Sequence, residues 1–98
     1  MLKYLENEDF KDIINQDKVL VDFYAKWCGP CKMLGPVLER LGNDYEIVKV
    51  DVDEHFEIAK EYGVMSVPTL IVFKNGKIAK QMIGFMDYEQ LKEELERI

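Results

Sequence analysis

Cysteine, proline, tryptophan and histidine are all scarce in this chain. Its 98 residues hold two cysteines, three prolines, one tryptophan and one histidine. Two cysteines are too few for the multi-disulfide framework of a small secreted domain. A zinc site asks for about four ligands, and two cysteines plus His55 fall short of that within one chain. Only a dimer sharing four thiolates would supply the set. Basic clusters are missing as well. Thirteen Lys and Arg against nineteen Asp and Glu leave a net charge of −6, which argues against a phosphate-backbone partner and for no nucleic-acid binding. No apolar run approaches the roughly 18 residues of a membrane span. The start, "MLKYLENEDF", lacks the basic-then-apolar pattern of a signal peptide. The expectation is a cytoplasmic protein with no membrane association. Repeats, low-complexity tracts and Gly/Ser/Pro linkers are also absent. With 48% hydrophobic and 33% charged residues, the chain reads as one globular domain over residues 1–98, not as a disordered segment.

What is present alternates between two periodicities. "MLKYL" is a short strand, and "NEDFKDIIN" a short helix with Asn7 as N-cap and Phe10, Ile13 and Ile14 on one face. Residues 18 to 25, "KVLVDFYA", form a nearly continuous apolar run that suits a strand covered on both faces. From Cys31 onward Leu34, Val37, Leu38, Leu41 and Tyr45 recur at helical spacing, with Pro36 inside the pattern as a kink site. Residues 46 to 53 are the next strand. "HFEIAKEYG" is a helix stopped by Gly63. Two strand-like runs then flank Asn75-Gly76, a strong hairpin signal because both turn residues tolerate positive φ. In "DYEQLKEELERI", Asp87 and Gln90 are spaced as a capping box ahead of a stripe of Tyr88, Leu91, Leu95 and Ile98. The order β-α-β-α-β-α-β-β-α predicts parallel crossovers plus a hairpin, hence a mixed central sheet covered by helices in an α/β three-layer domain.

Both cysteines fall in "VDFYAKWCGPCK", residues 21 to 32. Cys28 follows the strand and Cys31 is three residues on, so the thiols face each other across a first helical turn. Free N–H groups and the positive end of the helix dipole stabilise a thiolate there, and the thiolate is the form that attacks disulfides. Pro30 suits a first turn, where its missing N–H costs little, and Gly29 lets a partner's backbone come close. A structural bridge closing so short a loop restrains the unfolded chain little. A redox pair is the reading that a C-x-x-C at a strand-to-helix junction favours.

The motif W-C-G-P-C resembles the active site of the thioredoxin family, itself the usual illustration of C-x-x-C reactivity. It differs from the C-P-Y-C usual in glutaredoxins and the C-G-H-C usual in protein disulfide isomerase domains. "SVPTLIVFKNGK" resembles the family's cis-proline segment and "IGF" its glycine-bearing strand end, so the likeness runs along the whole chain. It implies the thioredoxin fold: a central mixed sheet of strand order 1-3-2-4-5 flanked by four helices. It also implies a thiol–disulfide oxidoreductase that reduces protein disulfides, binds no cofactor or metal, works as a monomer and is recycled by a thioredoxin reductase. Cys28 would be the exposed attacking thiol and Cys31 the more buried resolving thiol.

Three further residues read differently with and without the resemblance. Alone, Asp22 is an aspartate reaching solvent near a strand end, although Val19, Leu20, Val21, Phe23 and Tyr24 argue that this strand is covered. The resemblance makes it a buried proton acceptor for Cys31, raised by desolvation. Lys49 alone is a solvated strand-edge lysine; by resemblance it stands near the Asp22 carboxylate and tunes it. Most X-Pro bonds are trans, but Pro68 matches the family's cis-proline, which would turn the Val67 backbone toward the thiols for strand-like pairing with substrate. Trp27, either core or docking surface on its own, joins Gly29, Pro30, Val67, Pro68 and Gly84 in an apolar substrate-binding collar around Cys28. Tyr24 departs from the tryptophan many members carry, and Met65, Ser66 and Phe85 also depart from usual residues. A redox-independent protein-binding subunit and a disulfide oxidase or isomerase are the alternative functions.

Overall fold

The computed structural model describes residues 1–98, and its elements follow the predicted order. They are β1 (Leu2–Tyr4), α1 (Phe10–Ile14), β2 (Val19–Tyr24), α2 (Gly29–Leu41), β3 (Ile47–Asp51), α3 (Phe56–Glu61), β4 (Thr69–Lys74), β5 (Lys77–Ile83) and α4 (Tyr88–Arg97). The five strands form one sheet of order β1-β3-β2-β4-β5. β3 runs parallel to both β1 and β2, whereas β4 is antiparallel to β2 and to β5.

Strand alternation divides the core in two. Val19, Val21 and Phe23 of β2, Val48 and Val50 of β3, and Ile71 and Phe73 of β4 point to one face. There they meet Phe10, Ile13 and Ile14 of α1 and Ala59 of α3. Leu20, Ile47, Leu70, Val72 and Met82 point to the other face, under Leu34, Leu38 and Leu41 of α2 and Leu91 and Leu95 of α4. Each fully buried Leu contributes about 1.5–3 kcal/mol of transfer free energy. β2 and β3 are thus buried on both sides, which is why their sequences read as unbroken apolar runs.

Local signals explain most boundaries. Asn75 and Gly76 both take positive φ, 52° and 82°, at the β4–β5 turn. Asp87 accepts from the Gln90 N–H while Gln90 bonds back to the Asp87 N–H, closing the capping box of α4. After α3, Gly63 (φ 67°) donates to Lys60 and Val64 donates to Ala59, the paired bonds of a Schellman stop. Pro36 lies inside α2.

Two expectations are corrected. Asn7 is exposed and does not cap α1; Asp9, directly before Phe10, does so through Oδ1 to the Lys11 N–H at 3.0 Å. Both types are good caps, and Asp9 is the one adjacent to the first buried residue. Tyr45 is not on α2. The helix ends at Leu41 with Gly42 as its C-cap, and Tyr45 reaches the α2–α4 side of the core from the following loop.

Candidate active site

Cys28 is the N-cap of α2, in extended backbone (φ −93°, ψ 115°), and Gly29 and Pro30 form the exposed first turn. The Cys31 N–H points at Cys28 Sγ at 3.2 Å, so the sulfur occupies the place of a capping oxygen. The two sulfurs are joined in a disulfide across a Cα–Cα distance of 5.2 Å. The expected contrast of an exposed Cys28 and a buried Cys31 is not found in this oxidised form, where the two residues are 5% and 3% exposed. Cys28 is covered because the pair packs with Ala25 into a small cluster roofed by Tyr24, Val52 and Val67.

The surrounding collar comes from three loops. The Val67–Pro68 bond is cis, and the Val67 carbonyl oxygen lies 3.7 Å from Cys28 Sγ. Gly84 follows β5 with φ 95° and donates to the Pro68 carbonyl at 2.9 Å, which ties the end of β5 to the start of β4. Trp27 is surface, not core: it is 71% exposed, and its indole N–H donates to Asp53 at 3.0 Å. Beside it a groove of about 440 Å³ runs along α3, lined by Val52, Phe56, Met65 and Val67 among others. Sequence reasoning assigned Val52 and Phe56 no part in this surface. Their signal is proximity in the chain to Asp53, the partner of Trp27.

Within the sheet, Asp22 is fully buried and Lys49 is 9% exposed. Asp22 shares a face of β2 with Leu20, so it lies under the α2 side of the sheet. Lys49 is its register partner on β3, with Nζ 4.0 Å from Oδ2. No protein group donates a hydrogen bond to either Asp22 oxygen. Burial pushes the Asp22 carboxyl up to about 7, and the Lys49 charge acts against that rise. The solvated reading of Lys49 is excluded: β1 and β2 enclose it on both sides, and two rings, Tyr4 and Tyr24, stand 5.3 and 4.7 Å from its Nζ. Sequence pattern alone assigns these tyrosines no role at the site. Tyr24, two residues past Asp22 on the same face, was readable from alternation alone.

His55 is half-buried at the N-cap of α3, and its Nε2 lies 3.0 Å from the Leu5 carbonyl oxygen. No group of three or more His, Cys, Asp and Glu side chains is placed to hold a metal ion. No helix is long and apolar enough to cross a membrane.

The thioredoxin family model matches residues 1–97. The chain belongs to the thioredoxin family. It is 50% identical to thioredoxin of Staphylococcus epidermidis over 95 residues, covering 93% of this chain and 91% of that one. Thioredoxin of Chlorobaculum thiosulfatiphilum is 45% identical over 102 residues, at 96% and 94% coverage. Among solved structures, a mutant thioredoxin from Halobacterium salinarum superposes with a TM-score of 0.92 at 40% identity, covering 98% of this chain and 88% of that one. Family membership together with the Cys28–Cys31 pair makes this chain a thiol–disulfide oxidoreductase of the protein-disulfide reductase type.

Proposed function

We propose that Cys28 is the nucleophile, Cys31 the resolving thiol and Asp22 the proton acceptor of a general protein-disulfide reductase. In the reduced protein the Cys28 thiolate attacks one sulfur of a substrate disulfide. A mixed disulfide forms and the first substrate thiolate leaves. Cys31 then loses its proton to the Asp22 carboxylate, directly or through a water, and attacks Cys28 Sγ. The Cys28–Cys31 bond forms and the second substrate thiolate leaves. A carboxyl held near 7 is matched to this transfer at neutral pH. Lys49 tunes that carboxyl.

The observation that carries this reading is the Cys28–Cys31 bond in the first turn of α2, with the Cys31 N–H aimed at Cys28 Sγ. That N–H is a ready donor to negative charge on the sulfur. Trp27, Gly29, Pro30, Val67, Pro68 and Gly84 form the docking surface, and the Val67 carbonyl beside Cys28 supports backbone pairing with an extended substrate segment. The chain works as a single monomeric domain without bound cofactor in the cytoplasm, and a flavin-dependent thioredoxin reductase returns it to the dithiol.

The test is reduction of insulin disulfides with dithiothreitol as electron source. The protein is expected to accelerate the reaction well above dithiothreitol alone, and the Cys28→Ser, Cys31→Ser double variant is expected not to. Equal rates with and without the protein would remove the reductase reading and leave a redox-independent binding role.

A further inference from the structure

One transverse row of the sheet reads Tyr4, Lys49, Asp22, Leu70, because these residues are register partners on β1, β3, β2 and β4. Tyr24 lies one step along the same face of β2. The Lys49 ammonium is 4.0 Å from Asp22 Oδ2, 4.7 Å from the centre of the Tyr24 ring and 5.3 Å from that of Tyr4. The two rings meet edge to face, 6.1 Å apart at 77°. A gap of 4.0 Å is too long for a hydrogen bond, so the carboxylate does not itself fix the ammonium. Both rings are within the ~6 Å at which an aromatic face attracts a cation. A lysine side chain held in one position gives up rotamer freedom, and a partner must offset that.

We propose that Tyr4 and Tyr24 are positioning residues for Lys49, clamping its ammonium over the Asp22 carboxylate. The clamp fixes the one nearby positive charge that opposes protonation of Asp22, and so sets the pH at which that carboxyl exchanges its proton. The other groups that face this space are few. Asp51 of β3 is the register partner of Tyr24 and is approached at 3.8 Å by Lys26, which also pairs with Glu54. From α2, Cys31 packs against Tyr24, whereas Lys32, Glu39 and Arg40 of that helix are exposed. From β4 the neighbour is Leu70, which carries no charge. Lys49 is therefore the cation through which the rings act.

The inference rests on the Asp22 reading above only for its kinetic consequence, and its test is separate. The Asp22 carboxyl is titrated by carbon NMR in the oxidised protein, where neither cysteine ionises. Tyr4→Leu with Tyr24→Leu releases the ammonium, and the Asp22 midpoint is expected to rise by about half a pH unit or more. Tyr4→Phe with Tyr24→Phe keeps both ring faces and is expected to keep the wild-type midpoint. In a Lys49→Met background the leucine pair is expected to add no further rise. A downward shift, no shift, or an equal upward shift in the Lys49→Met background would overturn the clamp. If the leucine pair does not fold, Tyr4→Leu alone gives the same reading, since that ring is half exposed. An unaltered turnover in Asp22→Asn would count against the proton-transfer role and leave the clamp standing.

Discussion

Lys49 faces Asp22 across the β3–β2 pairing, yet its ammonium stops 4.0 Å short of the carboxylate and no protein hydrogen bond reaches either oxygen. Desolvation therefore dominates over the ion pair, and the carboxyl rises to about 7 from an ordinary 3.8. The consequence for stability has a definite sign. Between pH ~4 and ~7 the folded chain keeps a proton that the unfolded chain has lost. Stability then falls as pH climbs through this window, by ~4 kcal/mol in total for a shift of ~3 units. Below pH ~4 the group is protonated in both states and adds no pH dependence. Asp22→Asn removes the titration. In urea unfolding the variant is expected to be more stable than the parent at pH ~8, by up to ~4 kcal/mol, with the difference shrinking as pH falls to ~4. Parallel pH dependence in the two proteins would show that Asp22 is not the source.

The proposed division of labour between the cysteines predicts an arrested intermediate. Cys31→Ser leaves the Cys28 thiolate able to attack but removes the thiol that releases the product. Mixed disulfides joined through Cys28 are expected to accumulate with oxidised insulin and to be identified by peptide mapping. Cys28→Ser is expected to accumulate few or none. Adducts on Cys31 in the second variant, in yield equal to those on Cys28 in the first, would reverse the assignment.

Much of this fold was legible because the chemistry was local. Asn75-Gly76, the Asp87/Gln90 box, Gly63 and the double-sided burial of β2 and β3 all follow from short-range rules. The order of strands and the cis form of Pro68 followed from resemblance and not from spacing, since they depend on how distant segments meet. The same limit explains the errors. Asp9 prevailed over Asn7 because a cap is chosen by where the first buried residue lands. The burial of Cys28 depends on Val67, 39 residues away in the chain. Without the resemblance, which set it near Asp22, Lys49 reads as a surface residue, because nothing in "IVKVDV" reveals that two tyrosines on neighbouring strands close over it.

Trp27 offers a test of the docking surface that leaves the core alone. At 71% exposure it contributes little to folding, and its one hydrogen bond goes to the exposed Asp53. Exposed tryptophans at contact surfaces are frequent hot spots, with losses of ~1–2 kcal/mol or more on truncation. Trp27→Ala is expected to lower kcat/KM for insulin by about tenfold through KM, with Tm close to that of the parent. A large fall in Tm, or an unchanged KM, would return Trp27 to a structural role.

Gly84 combines a backbone constraint with the proposed docking role, and the two separate experimentally. Its φ of 95° is a conformation that side chains disfavour, by about 1–2 kcal/mol in the left-handed region. A Cβ placed there meets no atom within 4 Å, so the cost of Gly84→Ala is conformational and not steric. Gly76 is a matched control. It too has positive φ, 82°, and a Cβ there makes only an ordinary contact, 3.8 Å from Asn15 Oδ1. It lies past the far end of β4 from Pro68, a strand length of about 20 Å from the thiols. Both alanine variants are expected to lose about 1–2 kcal/mol in urea unfolding. Only Gly84→Ala is expected to raise KM for insulin, because the open space over Gly84 is where an extended substrate would lie beside the Pro68 carbonyl. Equal KM values for the two variants would mean that Gly84 is required by its backbone conformation alone.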